Sequence, residues 1–188
     1  MNRFKKTIII TTSIIAILFI AFIIVLWSVR GDLFFIGYNK FFIAPSCNKA
    51  EKFLKTNIKE LSYVASELSK MDYDSITIRN KSIHGEDGYS MRVKHEYAYE
   101  TISVPNELIN HIEALYEIGI QDISYGQDFV NFTMWSTMDE SRGIIYSGTG
   151  TKPNGEQLIE VSQLSNANWY YYVHNYEKAK EQNPEKFK

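Results

Sequence analysis

The sequence predicts an α+β domain: an N-terminal transmembrane helix, then an antiparallel sheet of about five to seven strands with two helices packed on one face. Three observations carry this prediction. Apolar residues recur at helical spacing over residues 48–71, and apolar and polar residues alternate over residues 89–100. Short segments rich in Tyr, Trp and Ile, separated by Gly and Pro, fill the second half of the chain. Helices and antiparallel strands in this order form a two-layer domain.

The first helix is predicted over residues 48–71. Asn48, with Glu51 three residues later, has the form of a capping box, in which a side chain and a reciprocal acid begin a helix. The apolar stripe that follows would face the sheet, and it comprises Phe53, Leu54, Ile58, Leu61, Val64, Ala65, Leu68 and Met71.

Two strands are predicted next. Ile76 and Ile78 alternate with polar residues and indicate a short strand. Over residues 89–100 the odd positions, from Tyr89 to Tyr99, would face one side and the even positions the other. This pattern is typical of one long, half-buried antiparallel strand.

The second half begins with another helix and continues with strands. Pro105 suits the first turn of the helix, and Gly119 suits its end. The strands that follow are predicted at residues 120–125, 129–136, 143–148, 157–162 and 168–173. The highly charged tail from Asn175 onward is expected to be a frayed helix or disordered.

Two segments of the chain resemble each other. A helix followed by Tyr73-Asp74-Ser75-Ile76-Thr77-Ile78 and a strand recurs roughly 47 residues later as a helix followed by Ile120-Gln121-Asp122-Ile123-Ser124-Tyr125 and a strand. An αββ unit used twice would build one continuous sheet with both helices behind it. A chance match of a few residues is the alternative.

Length and charge limit the class of protein. The 188 residues are enough for one domain. Three of the 20 Lys and Arg precede residue 30, which leaves 17 of them against 22 Asp and Glu in the rest of the chain. This acidic balance argues against a nucleic-acid partner. The single cysteine, Cys47, excludes an intramolecular disulfide and any multi-cysteine metal site.

The apolar run predicts a single-pass anchor at residues 7–29, which carry no charge. At about 1.5 Å per residue the run reaches roughly 35 Å, enough to cross a hydrocarbon core of about 30 Å. A signal peptide is the alternative, but its core is shorter and ends in small residues. Trp27 suits the membrane interface, and the basic leader of Arg3, Lys5 and Lys6 favours a cytoplasmic amino terminus.

The predicted organisation therefore has five parts: a cytoplasmic basic leader (1–6), the transmembrane helix (7–29), a juxtamembrane stalk (30–47), an extracytoplasmic domain (48–174) and a charged tail (175–188). Aromatic clusters in the stalk fit either the lipid headgroups or the surface of the domain. The excess of Ile over Ala indicates an AT-rich bacterial genome. We thus expect a protein of the bacterial cell membrane with its carboxyl domain outside.

No motif for chemistry emerges from the sequence. His84, Glu86 and Asp87 lie together near His95, but Glu96 would point away from His95, so one surface cannot hold the full set. No serine lies in a Gly-x-Ser-x-Gly elbow, and the Gly-rich run at residues 148–152 lacks the spacing of a phosphate-binding loop. We therefore predict no catalytic residue, no metal site and no cofactor. Enzymatic activity is uncertain and not expected.

Aromatic side chains are the most unusual feature of the composition, with 13 Tyr and 3 Trp. Alternation places Trp169 and Tyr171 on one face of a strand and Tyr170 and Tyr172 on the other. If helices cover one face, the second pair is exposed or is covered by something else. The candidate binding residues are Trp169, Tyr170, Tyr171, Tyr172, Trp135 and Tyr146.

Three functional hypotheses follow from this reading. The first is a binding module that recognises another protein through an aromatic sheet face, for example an immunity or inhibitor protein. The second is a module that binds cell-wall glycan, with aromatic rings beside Asn131, Asn166 and Asn168. The third is a membrane-tethered hydrolase whose site assembles only in three dimensions. In each of them residues 7–29 contact the lipid bilayer.

Overall fold

The computed structural model describes residues 43–80, 88–182 and 184–187. The predicted leader, the transmembrane helix and most of the stalk lie outside these residues, and so do Arg3, Lys5, Lys6 and Trp27. In the described part of the chain, no helix combines the length and the apolar character that crossing a membrane requires.

The α+β class is confirmed, and the sheet is larger than predicted, with eight strands instead of five to seven. The elements in chain order are α1 (Cys47–Ser69), β1 (Ser75–Asn80), β2 (Tyr89–His95), β3 (Ala98–Ser103), α2 (Asn106–Ile118), β4 (Asp122–Gly126), β5 (Phe129–Ser136), β6 (Glu140–Ser147), β7 (Leu158–Gln163), β8 (Trp169–Asn175) and α3 (Tyr176–Gln182). A 3-10 turn follows at Pro184–Phe187.

The strands lie in the order β3-β2-β1-β4-β5-β6-β8-β7, and every neighbouring pair is antiparallel. Because β8 pairs with β6, strand β7 is displaced to one edge of the sheet, and β3 forms the other edge. Helix α1 packs against α2 and against β5, β6 and β8.

The main core lies between the sheet and the two long helices. The predicted apolar stripe supplies Leu54, Leu61 and Leu68 from α1, and Leu115 is among the residues that α2 contributes. These side chains meet Phe132 and the other buried residues on one face of the sheet. At the end of α2, Gly119 adopts the left-handed conformation at φ = 116°, as its predicted role requires.

The start of α1 differs from the predicted capping box. Ser46 occupies the N-cap position and makes no side-chain capping bond. The Glu51 carboxylate instead accepts hydrogen bonds from the Ser165 backbone N–H, at 2.9 Å, and from the Ser165 hydroxyl. A contact between residues so far apart in the chain gives no local sequence signal, whereas a capping box does.

The predicted strand over residues 89–100 is in fact a hairpin of β2 and β3. Its turn lies at Glu96 and Tyr97, where Glu96 adopts φ = 53°. Neither turn residue is Gly, Asn, Asp or Pro, so the usual mark of a tight turn is missing. The tail also holds more structure than a frayed end, since α3 buries Ala179.

The pairing of β1 with β4 has two-fold symmetry. Ile76 pairs with Tyr125, and Ile78 pairs with Ile123. At the spacing of 47 residues, Ile123 corresponds to Ile76 and Tyr125 to Ile78. The two segments thus exchange equivalent contacts about an axis through the Thr77–Ser124 pair, as in an isologous interface.

Candidate ligand-binding site

The face of the sheet opposite α1 and α2, here called the open face, carries a second apolar cluster. Its buried members are Ile145, Tyr170 and Tyr172, and Phe129, Leu158 and Val161 pack against them. These side chains alternate along their strands with residues of the main core, as the pleat of a sheet requires. The sheet is therefore covered on both faces in its second half.

Residues 148–157, here called the covering loop, join β6 to β7 and enclose part of the open face. The Tyr170 hydroxyl donates a hydrogen bond to the Gly150 carbonyl oxygen at 2.9 Å. The Gly148 backbone N–H donates to the Asp128 carbonyl oxygen at 3.1 Å. The His174 Nε2 atom contacts the Gln157 side-chain oxygen. Contacts at both ends thus fix the loop over the sheet.

A cavity of about 330 Å³ lies between the covering loop and the open face. Its hydrogen-bonding side chains include Ser124, Asn131, Thr133, Ser141, Tyr172 and His174. Phe129, Ile145 and Leu158 supply apolar surface, and residues 153–155 form the part contributed by the loop. No Lys, Arg, Asp or Glu of the described residues lines it. The volume lies at the lower end of the range for small-molecule sites.

Tyr172 crosses the floor of this site. It stands opposite Gly143, and its hydroxyl lies 2.9 Å from the Thr133 hydroxyl on the strand beyond. The phenol ring therefore passes over Gly143, which has no side chain to obstruct it. Burial raises the pKa of Tyr172 to about 12, so the phenol keeps its proton at neutral pH.

Two further titratable groups lie at or near the cavity. Burial lowers the pKa of His174, so the imidazole in the lining is neutral at pH 7. Asp122 pairs with Thr133 in the sheet but does not line the cavity. Burial raises its pKa to about 6, against an opposing effect of Arg79. The lining therefore offers hydrogen bonds without a fixed charge.

The structure does not bring the six predicted binding residues together. Trp169 and Tyr171 lie in the main core, Tyr170 and Tyr172 lie in the open-face cluster, and none of the four is more than 5 % exposed. The second pair is buried in the open-face cluster, and the covering loop contacts Tyr170. Tyr146, which is half-buried, packs on Trp169 at a ring distance of 5.1 Å.

Trp135 is the sixth of these residues. It is also half-buried, and the Arg142 guanidinium lies 6.0 Å from its ring. Of the six, only Tyr172 lines the cavity. Their predicted role in binding stays a prediction, and the four most buried rings offer almost no surface to a partner.

The sequence reasoning missed Thr133, Ser141 and His174 as site residues. A signal was present in β5, where the polar Asn131 and Thr133 alternate with the core residues Val130, Phe132 and Met134. Two successive polar side chains on one face of a strand indicate a solvated or ligand-binding surface. Ser141 lies on β6, and the sequence alone does not show which residues of β6 lie beside Asn131 and Thr133 of β5.

Metal ligation finds no support within the described ranges, where no three His, Cys, Asp or Glu side chains group around a common point. His84, Glu86 and Asp87 of the predicted alternative lie outside the described residues. Searches against protein-family models, curated proteins and solved structures found no match to this chain.

Proposed function

We propose that this chain is a membrane-anchored extracytoplasmic binding module whose open-face cavity takes an uncharged, hydroxyl-rich ligand, namely a saccharide unit of cell-wall glycan. The observation that carries the proposal is the lining, in which hydroxyl, amide and neutral imidazole groups line a cavity with no charged side chain among the described residues.

The chemistry of the lining disfavours charged ligands and favours one rich in hydroxyl groups. An anion or cation entering the cavity would lose water and find no countercharge, which is costly. A saccharide instead offers hydroxyl groups to Asn131, Thr133 and Ser141, and each buried hydrogen bond left unmade costs about 1–3 kcal/mol. The apolar faces of a sugar ring can pack on Phe129 and Leu158.

A broad aromatic surface for a protein partner has weaker support than the cavity. The exposed large apolar side chains in the described part of the chain are scattered over several elements: Ile43, Tyr63, Tyr97, Tyr99, Ile118, Met138 and Tyr176. A protein-binding patch would be contiguous over several hundred Å². The immunity or inhibitor reading therefore stays a prediction.

The anchor is part of the same proposal and rests on the uncharged run at residues 7–29. The full chain is expected to stay in the membrane fraction after alkaline extraction, and protease added to intact cells should remove its carboxyl domain. Ile17→Lys combined with Ile20→Lys should release the chain, because each charge near the centre of the span costs about 2.5–3.5 kcal/mol.

Two results would contradict the anchor. One is a mature amino terminus downstream of Val29, and the other is a carboxyl domain that survives protease on intact cells and is digested only after lysis. As a matched control, Ile17→Leu with Ile20→Leu should leave the chain in the membrane, because both changes keep the span apolar.

Asn131→Ala tests the cavity. The change removes an amide from the lining without touching the main core, so binding of an N-acetylglucosamine oligosaccharide should weaken about tenfold, or about 1.4 kcal/mol. Calorimetric titration of the full chain in detergent measures this affinity. Asn166→Ala is the matched control, because Asn166 is exposed and lies outside the lining.

The two asparagine variants also separate the hypotheses. Equal weakening by both variants would place the saccharide elsewhere and overturn the cavity as its site. If the unchanged protein bound no cell-wall saccharide, the glycan would be excluded as ligand. Saccharide cleavage by the unchanged protein would support the hydrolase hypothesis instead.

We further propose that a helix-and-strand unit is used twice, as α1 with β1–β3 and α2 with β4–β6. The two-fold register at Thr77 and Ser124 supports this reading. Each unit contributes three consecutive neighbours to the sheet, and the units meet at the β1–β4 pair. The cavity lies on the half that contains the second unit, so the open face of the first unit is left for another role.

A further inference from the structure

We propose that the edge strand β3 and the cationic side chains beside it form a docking surface for an extended, acidic segment of a partner protein, which adds to the sheet as a ninth strand. The surface is defined by Arg92, Lys94 and Tyr99, together with the outer edge of β3. It is separate from the cavity and does not depend on the proposed saccharide.

The edge itself is available for pairing. Strand β3 pairs only with β2, in a regular register from Ser90–Ser103 to His95–Ala98, and five of its six residues are exposed. Its outward-facing backbone groups therefore have no strand partner among the described residues. An edge of this kind accepts an added strand through main-chain hydrogen bonds.

The opposite edge shows the contrast. Strand β7 carries a bulge between Leu158 and Glu160, and α3 packs against it. Bulges and covering elements are common means by which proteins protect sheet edges from pairing. The bulge and the helix protect β7, and β3 has neither device within the described residues.

Charge identifies the partner. By alternation with Ile76, Ile78, Met91 and Val93 of the core, the open face of β1 and β2 presents Arg79, Arg92 and Lys94. Asp122 on β4 already interacts electrostatically with Arg79, whereas Arg92 and Lys94 form no ion pair with a carboxylate of the described residues. A partner with carboxylates on this face would supply the missing charge.

The positive charges of Arg92 and Lys94 lie close to Tyr99 on the edge strand. The Arg92 guanidinium lies 4.5 Å from the centre of the Tyr99 ring, and the Lys94 ammonium lies 5.9 Å from it. The cations of β2 thus reach over β3, next to the position of an added strand. Exposed aromatic and arginine side chains are also the types that most often dominate binding energy.

Glu100 restricts the pattern of the partner. It pairs with Val93 and so lies on the other face of the edge strand. An acid on that face of the partner would meet Glu100 and be disfavoured. The fitting segment therefore alternates acidic residues, directed to the open face, with uncharged residues on the opposite face.

The test uses the full chain in nanodiscs of zwitterionic lipid and a fluorescent peptide that alternates Glu with Thr. Fluorescence polarisation should show saturable binding, and Arg92→Glu with Lys94→Glu should weaken it at least about tenfold. Lys52→Glu with Lys59→Glu is the matched control: it changes the net charge equally, on exposed positions of α1, and should leave the affinity within about twofold of the unchanged protein.

A second peptide tests the strand itself. Methylation of alternate backbone amides keeps every charge but removes donors that the β3 edge requires, so this peptide should bind at least about tenfold more weakly. Equal affinity for both peptides would overturn strand addition in favour of diffuse charge attraction. If anionic nanodiscs abolished peptide binding to the unchanged protein, anionic lipid headgroups would be the ligand of these cations, and the proposal would fail.

Discussion

Gly143→Ala is expected to lower the free energy of unfolding by about 3 kcal/mol, at the upper end of the usual cost of overpacking. A Cβ atom at this position would lie 2.1 Å from the Phe132 carbonyl oxygen. That oxygen belongs to the backbone of the neighbouring strand, so no side-chain rotation can relieve the clash. A strand glycine at such a close backbone approach has no substitute.

Two features next to Gly143 should increase this loss of stability. Strand β5 shifts its register against β6 between Thr133 and Trp135, directly beside Gly143. The ring of Tyr172 passes over the same glycine to reach Thr133. Moving β5 to admit a methyl group would disturb both the bulge and the Tyr172–Thr133 hydrogen bond, so we expect the saccharide site to loosen with the fold.

Urea unfolding of the full chain in detergent, followed by circular dichroism, measures the change. With a typical slope of about 1–3 kcal/mol per molar urea, the midpoint should fall by about 1–3 M. Gly148→Ala is the control, because its Cβ atom would meet only the Asp128 carbonyl oxygen at 3.8 Å. A Gly143→Ala protein as stable as this control would show that β5 and β6 are further apart than described.

Local patterns predicted the elements that depend on local physics. The stripe from Leu54 to Leu68 repeats at helical spacing and is buried, and Gly119 ends α2 in the conformation that favours glycine. The strand at residues 129–136 was predicted with its observed bounds, because alternation there is uninterrupted. These features are set by neighbours within a few positions of the chain.

Features set by distant residues were missed. The insertion of β8 between β6 and β7 depends on pairings such as Ile144 with Tyr171, which no local pattern encodes. The hairpin at Glu96 and Tyr97 was read as one strand, because apolar and polar residues continue to alternate in the sequence across the turn. The predicted facing was wrong beyond it: Tyr99 pairs with Lys94 and lies on the face opposite Met91 and Val93.

Only part of the candidate site could be predicted, because its lining residues come from strands that are distant in the sequence. Of the three asparagines named for glycan binding, Asn131 lines the cavity, whereas Asn166 and Asn168 do not. Ser141 and His174 come from two other strands, and only their register places them opposite each other. The covering loop was not predicted, since Gly and Thr indicate a turn but not the surface on which it lies.

Trp169→Ala is the second change with a large expected effect, a loss of about 4 kcal/mol in the free energy of unfolding. The indole is 3 % exposed, and its ring contacts Tyr146 at 5.1 Å and Phe132 at 5.9 Å. Truncation would leave a cavity between β8 and the core that two aromatic neighbours on other strands cannot fill. Trp169→Phe should recover much of the loss, because it keeps a ring in the site.

The same variant separates a core tryptophan from a binding tryptophan. Tyr97→Ala is the control: that side chain is 97 % exposed, so its loss should change the stability by no more than about 0.5 kcal/mol. Circular dichroism in urea is the measurement, since tryptophan fluorescence would lose one of its three probes with the residue. If Trp169→Ala kept full stability but abolished ligand or partner binding, Trp169 would contact a ligand. The packing of β8 against the helices described above would then be wrong.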